Sequence, residues 1–198
     1  ALSAAKLARQ LTEDGIRAVP VFWLATEDHD FAEIDHCHVF DSRMRPLRLQ
    51  MRARGASAQP VGGMELTEIP LAALQSALKG LLYADEVIEL VEATYRPGRT
   101  LGEAFRDLLQ RLLAGSGIVF LDPLHPEIRA LAAPFLAQAL DHATDLSALV
   151  FARNRELKEA GYHQQVLFEP HTSFFFKLEA GRRLHLRRNG SDYFHEAD

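Results

Sequence analysis

Titratable side chains are concentrated in one short stretch of the sequence. Between Glu27 and His38, nine of the twelve residues are Asp, Glu, His or Cys, in the order EDHDFAEIDHCH. The ordinary interpretation is a solvated loop or an acid-rich helix start, because carboxylates favour the positive end of the helix dipole. The run directly follows a strongly apolar segment, however, and in α/β proteins polar side chains at a strand end are where sites form. We therefore interpret the run as functional.

General acid–base catalysis is the first chemistry that this run suggests. His29 lies between Asp28 and Asp30, and neighbouring carboxylates can fix the tautomer of an imidazole. A positioned acid or base contributes about 10²–10⁴-fold to a rate. If the chain is helical here, His29, Glu33 and His36 fall on one face at i, i+4 and i+7.

Metal binding is the second chemistry, and residue spacing does not decide between the two. Carboxylates can hold Mg²⁺, and His36 and His38 with an acid could hold Zn²⁺. A structural zinc framework is excluded, because Cys37 is the only cysteine. We expect Cys37 to be a small buried hydrophobic residue.

Other candidate site residues lie near strand ends or turns. Trp23 is expected in the core, with a pocket wall as the alternative, and Asp122 is either a helix-leading cap or a second carboxylate at the sheet edge. Tyr162 and Gln165 precede an extended segment, where turn packing and substrate contact are equally plausible. The tail also carries arginines that usually form a solvated face, with carboxylate capture as the alternative: Arg182, Arg183, Arg187 and Arg188.

Two helix–glycine–strand units are expected to position these side chains. The first has a helix over 2–14 with Ala4, Leu7, Ala8 and Leu11 on its buried face, Gly15 at its end, and a strand within 18–25. That strand is apolar on both faces, which is typical of a central parallel strand, with Pro20 at its beginning.

The second unit begins with a capping box at Thr100 and Glu103, followed by a helix with Leu101, Phe105, Leu108 and Leu112 on one face. After Gly115 a second buried strand spans 118–121 and ends at Asp122. This rhythm predicts a doubly wound sheet, in which ligands bind at the carboxyl ends of the strands. We therefore expect His29 and Asp122 to approach one cavity.

The rest of the chain is expected to form an insertion, further helices and an antiparallel tail. Residues 43–69 predict a hairpin or irregular insertion, and 70–92 predict a helix in two pieces. Pro126 opens a helix that Pro134 should kink or divide, and 144–160 continues helical. Alternating stretches after 161, separated by turn signals, predict an antiparallel meander.

Composition excludes several classes of protein. The 198 residues carry a net charge of −5, which offers no basic footprint for nucleic acid. A single cysteine favours a reducing compartment, and no apolar run reaches the about 18 residues of a membrane span. We expect a cytoplasmic protein. Because the chain opens at Ala1 inside a helix, we also expect that something precedes it in the full protein.

Several motifs together resemble one enzyme family. The run VPVFWLATEDHDFAEID is similar to the signature of the bacillithiol biosynthesis cysteine-adding enzymes, the BshC family. Further similar segments follow in order: PVGGMEL, Tyr95 with TLGEAF, GIVFLDP, GYHQQV and FFFKLEAGRRL. Asp35 stands where the family pattern has Asn. The family's loop containing glycine and glutamine, and its later coiled-coil portion, have no counterpart in this chain, so the chain resembles part of the enzyme.

The resemblance implies a Rossmann-like doubly wound parallel sheet with a small inserted region and a C-terminal antiparallel meander. It implies ATP-dependent joining of cysteine to glucosaminyl-malate, with Mg²⁺ as a possible companion of the nucleotide and a homodimer in the full-length form. Segments 1–42 and 100–198 would form the core and 43–99 the insertion. No nucleic acid or membrane partner is expected.

The resemblance also implies residue roles. Asp28, His29 and Asp30 would be catalytic, with His29 or a neighbouring carboxylate as the base and the aspartates holding the cysteine ammonium or Mg²⁺. Glu27 would orient His29. Trp23, Glu27, Asp122, Tyr162 and Gln165 would contact substrates, and the tail arginines would capture malate carboxylates.

Two alternatives remain open from the residues. A metal-dependent hydrolase would use the side chains of Asp28, His29, Asp30, His36 and His38. A non-catalytic nucleotide-binding or assembly module is the third possibility, since a partial chain can serve as one.

Overall fold

The structure is a computed structural model that describes residues 1–55, 58–164, 166, 172–189 and 192–194. It divides into two compact units, Ala1–His125 and Pro126–Asp198. The first contains five helices and six strands among the described residues, in the order α1 (Leu2–Glu13), β1 (Val21–Trp23), α2 (Phe31–Ile34), β2 (His36–Phe40), β3 (Pro46–Gln50), β4 (Arg52–Arg54), β5 (Glu65–Glu68), α3 (Leu71–Leu78), α4 (Ala84–Thr94), α5 (Leu101–Leu112) and β6 (Val119–Leu121), with a short 3₁₀ turn at Val61–Gly63 before β5.

The two predicted helix–glycine–strand units are present, and their strands are parallel neighbours. β1 pairs with β6 in the register Val21–Val119 to Trp23–Leu121. Gly15 has φ +86°, which allows the chain to turn back after α1 and enter β1. Pro20 lies before the strand and accepts a hydrogen bond from Val119 N–H through its carbonyl at 2.9 Å. The parallel pair places Thr26 and Asp122 at the same edge of the sheet.

The predicted burial of this sheet on both faces is wrong for the described residues. Val21 and Trp23 are 50% and 55% exposed, so the expectation of Trp23 in the core is also wrong. Within the described part of the chain β1 has β6 as its one strand neighbour, and an apolar strand is covered only when other elements pack on it. Of the face predicted for α1, Ala8 is buried and Leu11 is partly buried, whereas Ala4 and Leu7 are exposed; Ala5 is buried in addition.

The last residues of the acidic run already belong to a β-hairpin, which begins at His36. α2 has only four residues, and His36 already begins β2, which pairs antiparallel with β3. The helical face predicted for His29, Glu33 and His36 is therefore not formed. β4 and β5 make a second antiparallel pair, which confirms hairpin structure within 43–69.

The core of the first unit lies under α5. Leu66, Leu101 and Ala104 form a buried cluster against which Phe31 and Tyr95 pack. The predicted capping box is present, because Thr100 Oγ1 accepts from Glu103 N–H at 3.2 Å and Glu103 Oε2 accepts from Thr100 N–H at 3.0 Å. The helix predicted in two pieces is α3 and α4.

The second unit contains α6 (Pro126–Asp141), α7 (Ala143–Glu159), β7 (Thr172–Glu179), β8 (Arg182–Asn189) and β9 (Asp192–Phe194). α6 continues through Pro134 without being divided. The three strands pair antiparallel in sequence order, as expected of a meander. Throughout the described residues, no helix has the length and apolar character needed to cross a bilayer.

Candidate active site

The edge where the parallel strands end brings two predicted polar segments together. After β1, Leu24 N–H donates to Leu121 O at 2.9 Å, and Leu24 is fully buried. Two residues later Thr26 is 3% exposed, and its Oγ1 donates to Asp122 Oδ1 at 2.6 Å. Asp122 Oδ1 also accepts from Leu124 N–H at 3.0 Å. Asp122 therefore connects the two strand ends.

The acidic run leaves this edge as an exposed loop. Asp28 Oδ1 accepts from His29 N–H at 2.6 Å and lies 3.3 Å from His29 Nδ1, with both side chains about half exposed. The imidazole therefore contacts one of the two flanking carboxylates that the sequence placed beside it. Asp30 precedes α2, yet its side chain makes no capping hydrogen bond. The acids here do not serve as a helix cap.

A cavity of about 350 Å³ opens beside this loop. Its polar wall includes Thr26, Asp28 and Asp30, and the rest is mostly apolar: Ala25, Ile34, Met51, Val61, Gly62, Tyr95, Leu101, Gly102 and Phe105. His29 and Asp122 are not part of this lining, so the prediction that both approach one cavity is wrong for this cavity. Asp28 and Asp30, which flank His29, line it instead. Asp28 and Asp30 remain exposed to solvent, and two neighbouring carboxylates favour a cationic ligand because opposite charges attract.

The backbone of this loop is held by the 3₁₀ turn. Val61 N–H donates to Asp28 O at 2.6 Å, and Gly62 N–H donates to Thr26 O at 2.9 Å. Gly62 lies so close to Thr26 that a Cβ on Gly62 would lie 2.4 Å from Thr26 Cβ, and a Cβ on Gly102 would lie 2.9 Å from Gly62 O. The sequence placed Thr26 in the polar segment after the first strand but assigned no individual role to it or to either glycine. The available signal was glycine in PVGGMEL and TLGEAF, since glycine often marks a close approach of backbones.

A second acid–histidine pair lies farther along the run. Asp35 Oδ1 is 2.6 Å from His36 Nδ1, and Asp35 Oδ2 accepts from Gln50 Nε2 at 2.7 Å. These hydrogen bonds, first from His36 and then from Gln50, hold the pKa of Asp35 below its ordinary value. The side chains of His36 and Asp35 are 29% and 14% exposed, so this pair is less exposed than His29 and Asp28. Sequence reasoning treated His36 only as a possible metal ligand.

A mainly apolar cavity of about 370 Å³ adjoins the first one, with Ile34, Met51 and Tyr95 lining both. Burial raises the pKa of the Tyr95 phenol, and the nearby Cys37 thiol raises it further. Cys37 is exposed, so its interpretation as a buried hydrophobic residue is wrong. Within the described ranges, no three His, Cys, Asp or Glu side chains are grouped to hold a metal ion.

The sequence predicts further substrate contacts at Trp23, Glu27, Tyr162 and Gln165 and at the tail arginines. Trp23 and Glu27 are exposed and do not line the first cavity. Tyr162, in the second unit, is 67% exposed, and its N–H donates to Leu157 O at 2.9 Å. Gln165 lies outside the described residues. Arg183 places its guanidinium carbon 3.5 Å from the centroid of the Phe176 ring, a cation–π contact on the hairpin.

Comparisons with known proteins point to one family. The family model described as "Bacillithiol biosynthesis BshC, N-terminal Rossmann-like domain" matches residues 1–198. Three similar proteins are each named "Putative cysteine ligase BshC". The protein from Solibacter usitatus is 52% identical over 99% of this chain and 37% of its own length. The one from Koribacter versatilis is 34% identical over 98% and 36%, and the one from Salinibacter ruber 34% over 86% and 31%. The chain thus spans about a third of the length of these relatives.

Proposed function

We propose, from the premise that this chain belongs to the family of BshC N-terminal Rossmann-like domains of bacillithiol biosynthesis, that it supplies the amine-handling part of an ATP-dependent ligase. The full-length enzyme joins the carboxyl carbon of cysteine to the amine of glucosaminyl-malate. The single observation that carries this proposal is the cavity at the carboxyl edge of the β1–β6 pair, with Asp28 and Asp30 in its wall.

The two carboxylates are suited to the ammonium group of cysteine. A hydrogen bond to a charged group is about twice as strong as one between neutral groups, and both carboxylates line the cavity while remaining accessible from solvent. The cavity volume of about 350 Å³ falls within the range of small-molecule sites. Asp28 and Asp30 then fix the cysteine while its carboxyl group reacts.

His29 is the proposed acid–base group. As the glucosamine nitrogen bonds to the carboxyl carbon, the bond from that carbon to the phosphate group that ATP supplied for activation breaks and this group leaves. The amine gives up a proton in the same step, and the imidazole accepts that proton. The Asp28 carboxylate, 3.3 Å from His29 Nδ1, orients the ring for this task. Glu27, Trp23, Tyr162 and Gln165 stay proposed substrate contacts, as do the tail arginines for the malate carboxylates.

ATP would supply the activation of the cysteine carboxyl group. Mg²⁺ usually takes only one or two protein carboxylates when phosphates complete its coordination, and the Asp28–Asp30 pair fits that requirement if the ion is present. We propose further that β1 and β6 belong to a doubly wound sheet, that the full-length protein is a cytoplasmic homodimer, and that it has neither nucleic acid nor membrane partners.

Ligase and hydrolase differ in their products and in their metal content. The full-length protein should convert cysteine, glucosaminyl-malate and ATP into the cysteinyl conjugate, detected by mass spectrometry, and elemental analysis should find no stoichiometric zinc or manganese. Hydrolysis of the conjugate with one tightly held transition metal per chain would overturn the proposal. Absence of both reactions would assign the protein to a binding or assembly role.

A further inference from the structure

Thr26 has an unusual position for a polar residue of this loop. It is 3% exposed, whereas the four residues that follow it, Glu27 to Asp30, are all exposed. Each of its parts contacts a different segment: the hydroxyl contacts Asp122, the carbonyl contacts Gly62, and the methyl side packs against Gly62 and Gly102. Thr26 is therefore where the β6 end, the 3₁₀ turn and the start of α5 meet.

The glycines on either side of Thr26 make this contact possible. An added Cβ on Gly62 would lie 2.4 Å from Thr26 Cβ, and one on Gly102 would lie 2.9 Å from Gly62 O and 3.2 Å from Thr26 Cγ2. Cβ atoms are essentially never found below 3.0 Å, so both positions require the smallest residue. Because the three residues are closely packed, a shift of one of them forces a shift of the others.

Asp122 completes the arrangement from the other strand. Its Oδ1 accepts from both Thr26 Oγ1 and Leu124 N–H, so the turn after β6 sets where the acceptor lies. From Thr26 the chain reaches Asp28 in two residues, and Asp28 O is again held by Val61 N–H at 2.6 Å. The backbone of Asp28 is thus held by the same 3₁₀ turn that contacts Thr26, and Thr26 in turn contacts Asp122.

We infer that Thr26 and Asp122 are positioning residues that hold Asp28 and Asp30 at the cavity, and that Asp122 acts through Thr26 rather than by touching substrate. This inference rests on the proposed function for its effect on rate. A misplacement of about 1 Å of a reacting group can cost about 10²-fold in rate. Asp122, which the sequence suggested as a substrate contact, takes a different part in the site.

The test compares Thr26→Val with Thr26→Ser in the full-length protein. Valine keeps the shape and removes the hydroxyl, whereas serine keeps the hydroxyl. We expect kcat/KM for cysteine to fall about 10²-fold in Thr26→Val and to be largely restored in Thr26→Ser. Thr67→Val, at an exposed threonine of β5, is the matched control and should match the parent.

Asp122→Asn separates positioning from a charge effect. Asparagine keeps the acceptor Oδ1 and removes the charge, so kcat/KM for cysteine should fall much less than in Thr26→Val. A loss as large as that of Thr26→Val would assign the Asp122 charge a direct role and overturn the inference.

Hydrogen exchange, measured by mass spectrometry on peptides covering residues 59–64, tests the contact between Thr26 and the 3₁₀ turn independently of enzyme activity. Exchange at the amides of Val61 and Gly62 should accelerate in Thr26→Val and not in Thr26→Ser. If the parent shows no ligation, the proposed function fails, while this exchange still decides whether Thr26 holds the loop. Unchanged exchange in Thr26→Val, or faster exchange with normal turnover, would overturn the inference.

Discussion

Two histidines of the acidic run differ in how their side chains are held. His29 is 49% exposed and lies 3.3 Å from Asp28 Oδ1, whereas His36 is 29% exposed and only 2.6 Å from Asp35 Oδ1. An oriented imidazole is ready for proton transfer, but an acid–base group must also reach its substrate. His29 neighbours the carboxylates of the first cavity, and that proximity is the reason for assigning it the proton transfer.

Replacement of His29 separates a catalytic from a structural histidine. We expect His29→Ala in the full-length enzyme to lower turnover by about 10²–10⁴-fold, the usual contribution of a general base. Because His29 is exposed, the melting temperature should hardly change. Product formation and melting are measured on the same sample. A variant that melts well below the parent yet turns over normally while folded would make the histidine structural.

Asp35 gives a pH-dependent prediction for stability. Its pKa is held below the ordinary 3.8 by the hydrogen bonds from His36 and Gln50. A group with a depressed folded pKa contributes stability above its unfolded value and loses it as the pH falls through the folded value. We therefore expect that, as the pH is lowered below about 4, the melting temperature decreases less in Asp35→Asn than in the parent. Equal acid sensitivity of the two proteins would contradict the role of this pair.

At the scale of elements, glycine contacts decide where the loop after β1 lies. Gly62→Ala should be strongly destabilising, since overpacking of a close contact usually costs about 1–3 kcal/mol. Gly63 is the matched control, because a Cβ there would meet only the end of the Gln59 side chain, at 3.1 Å. Melting temperatures of the two alanine variants provide the comparison. Equal effects of Gly62→Ala and Gly63→Ala would show that the contact with Thr26 is unimportant.

Local sequence signals predicted elements well where the cause was local. The capping box at Thr100, the turn at Gly15 and the parallel relation of β1 and β6 all follow from short patterns and their order. His36 was misjudged because its strand depends on pairing with Gln50, fourteen positions away. Periodicity describes a segment and not its partners, which is also why the exposure of Trp23 was missed.

The site itself was predicted in part for the same reason. Clustering of acids after an apolar strand located Asp28 and Asp30, because the carboxyl edge of a parallel sheet is a general place for sites. The individual role of Thr26 was not predicted because its importance comes from Asp122, Gly62 and Gly102, which are distant in sequence. Such a contact is visible only once the fold has brought the segments together.

At the scale of the whole molecule, the chain supplies about a third of the length of its relatives. Several large apolar side chains of the chain are exposed, among them Val21, Trp23 and Val119 on the β1–β6 pair. The proposed ligase would have to bring together two substrates and a nucleotide, and the described cavity is proposed to bind one cationic group. Activity should therefore be measured on the full-length protein.

The most direct test of the proposed binding of an amine in the first cavity is kcat/KM for cysteine in full-length Asp30→Asn. Asparagine keeps the shape and removes the charge, and a hydrogen bond to a charged group is worth about 1.5–3 kcal/mol. We therefore expect a loss of about tenfold to a hundredfold, with an unchanged melting temperature. Glu33→Gln removes an exposed charge three residues away, outside the cavity lining, and should match the parent. Normal kcat/KM in Asp30→Asn, or an equal loss in Glu33→Gln, would contradict the account.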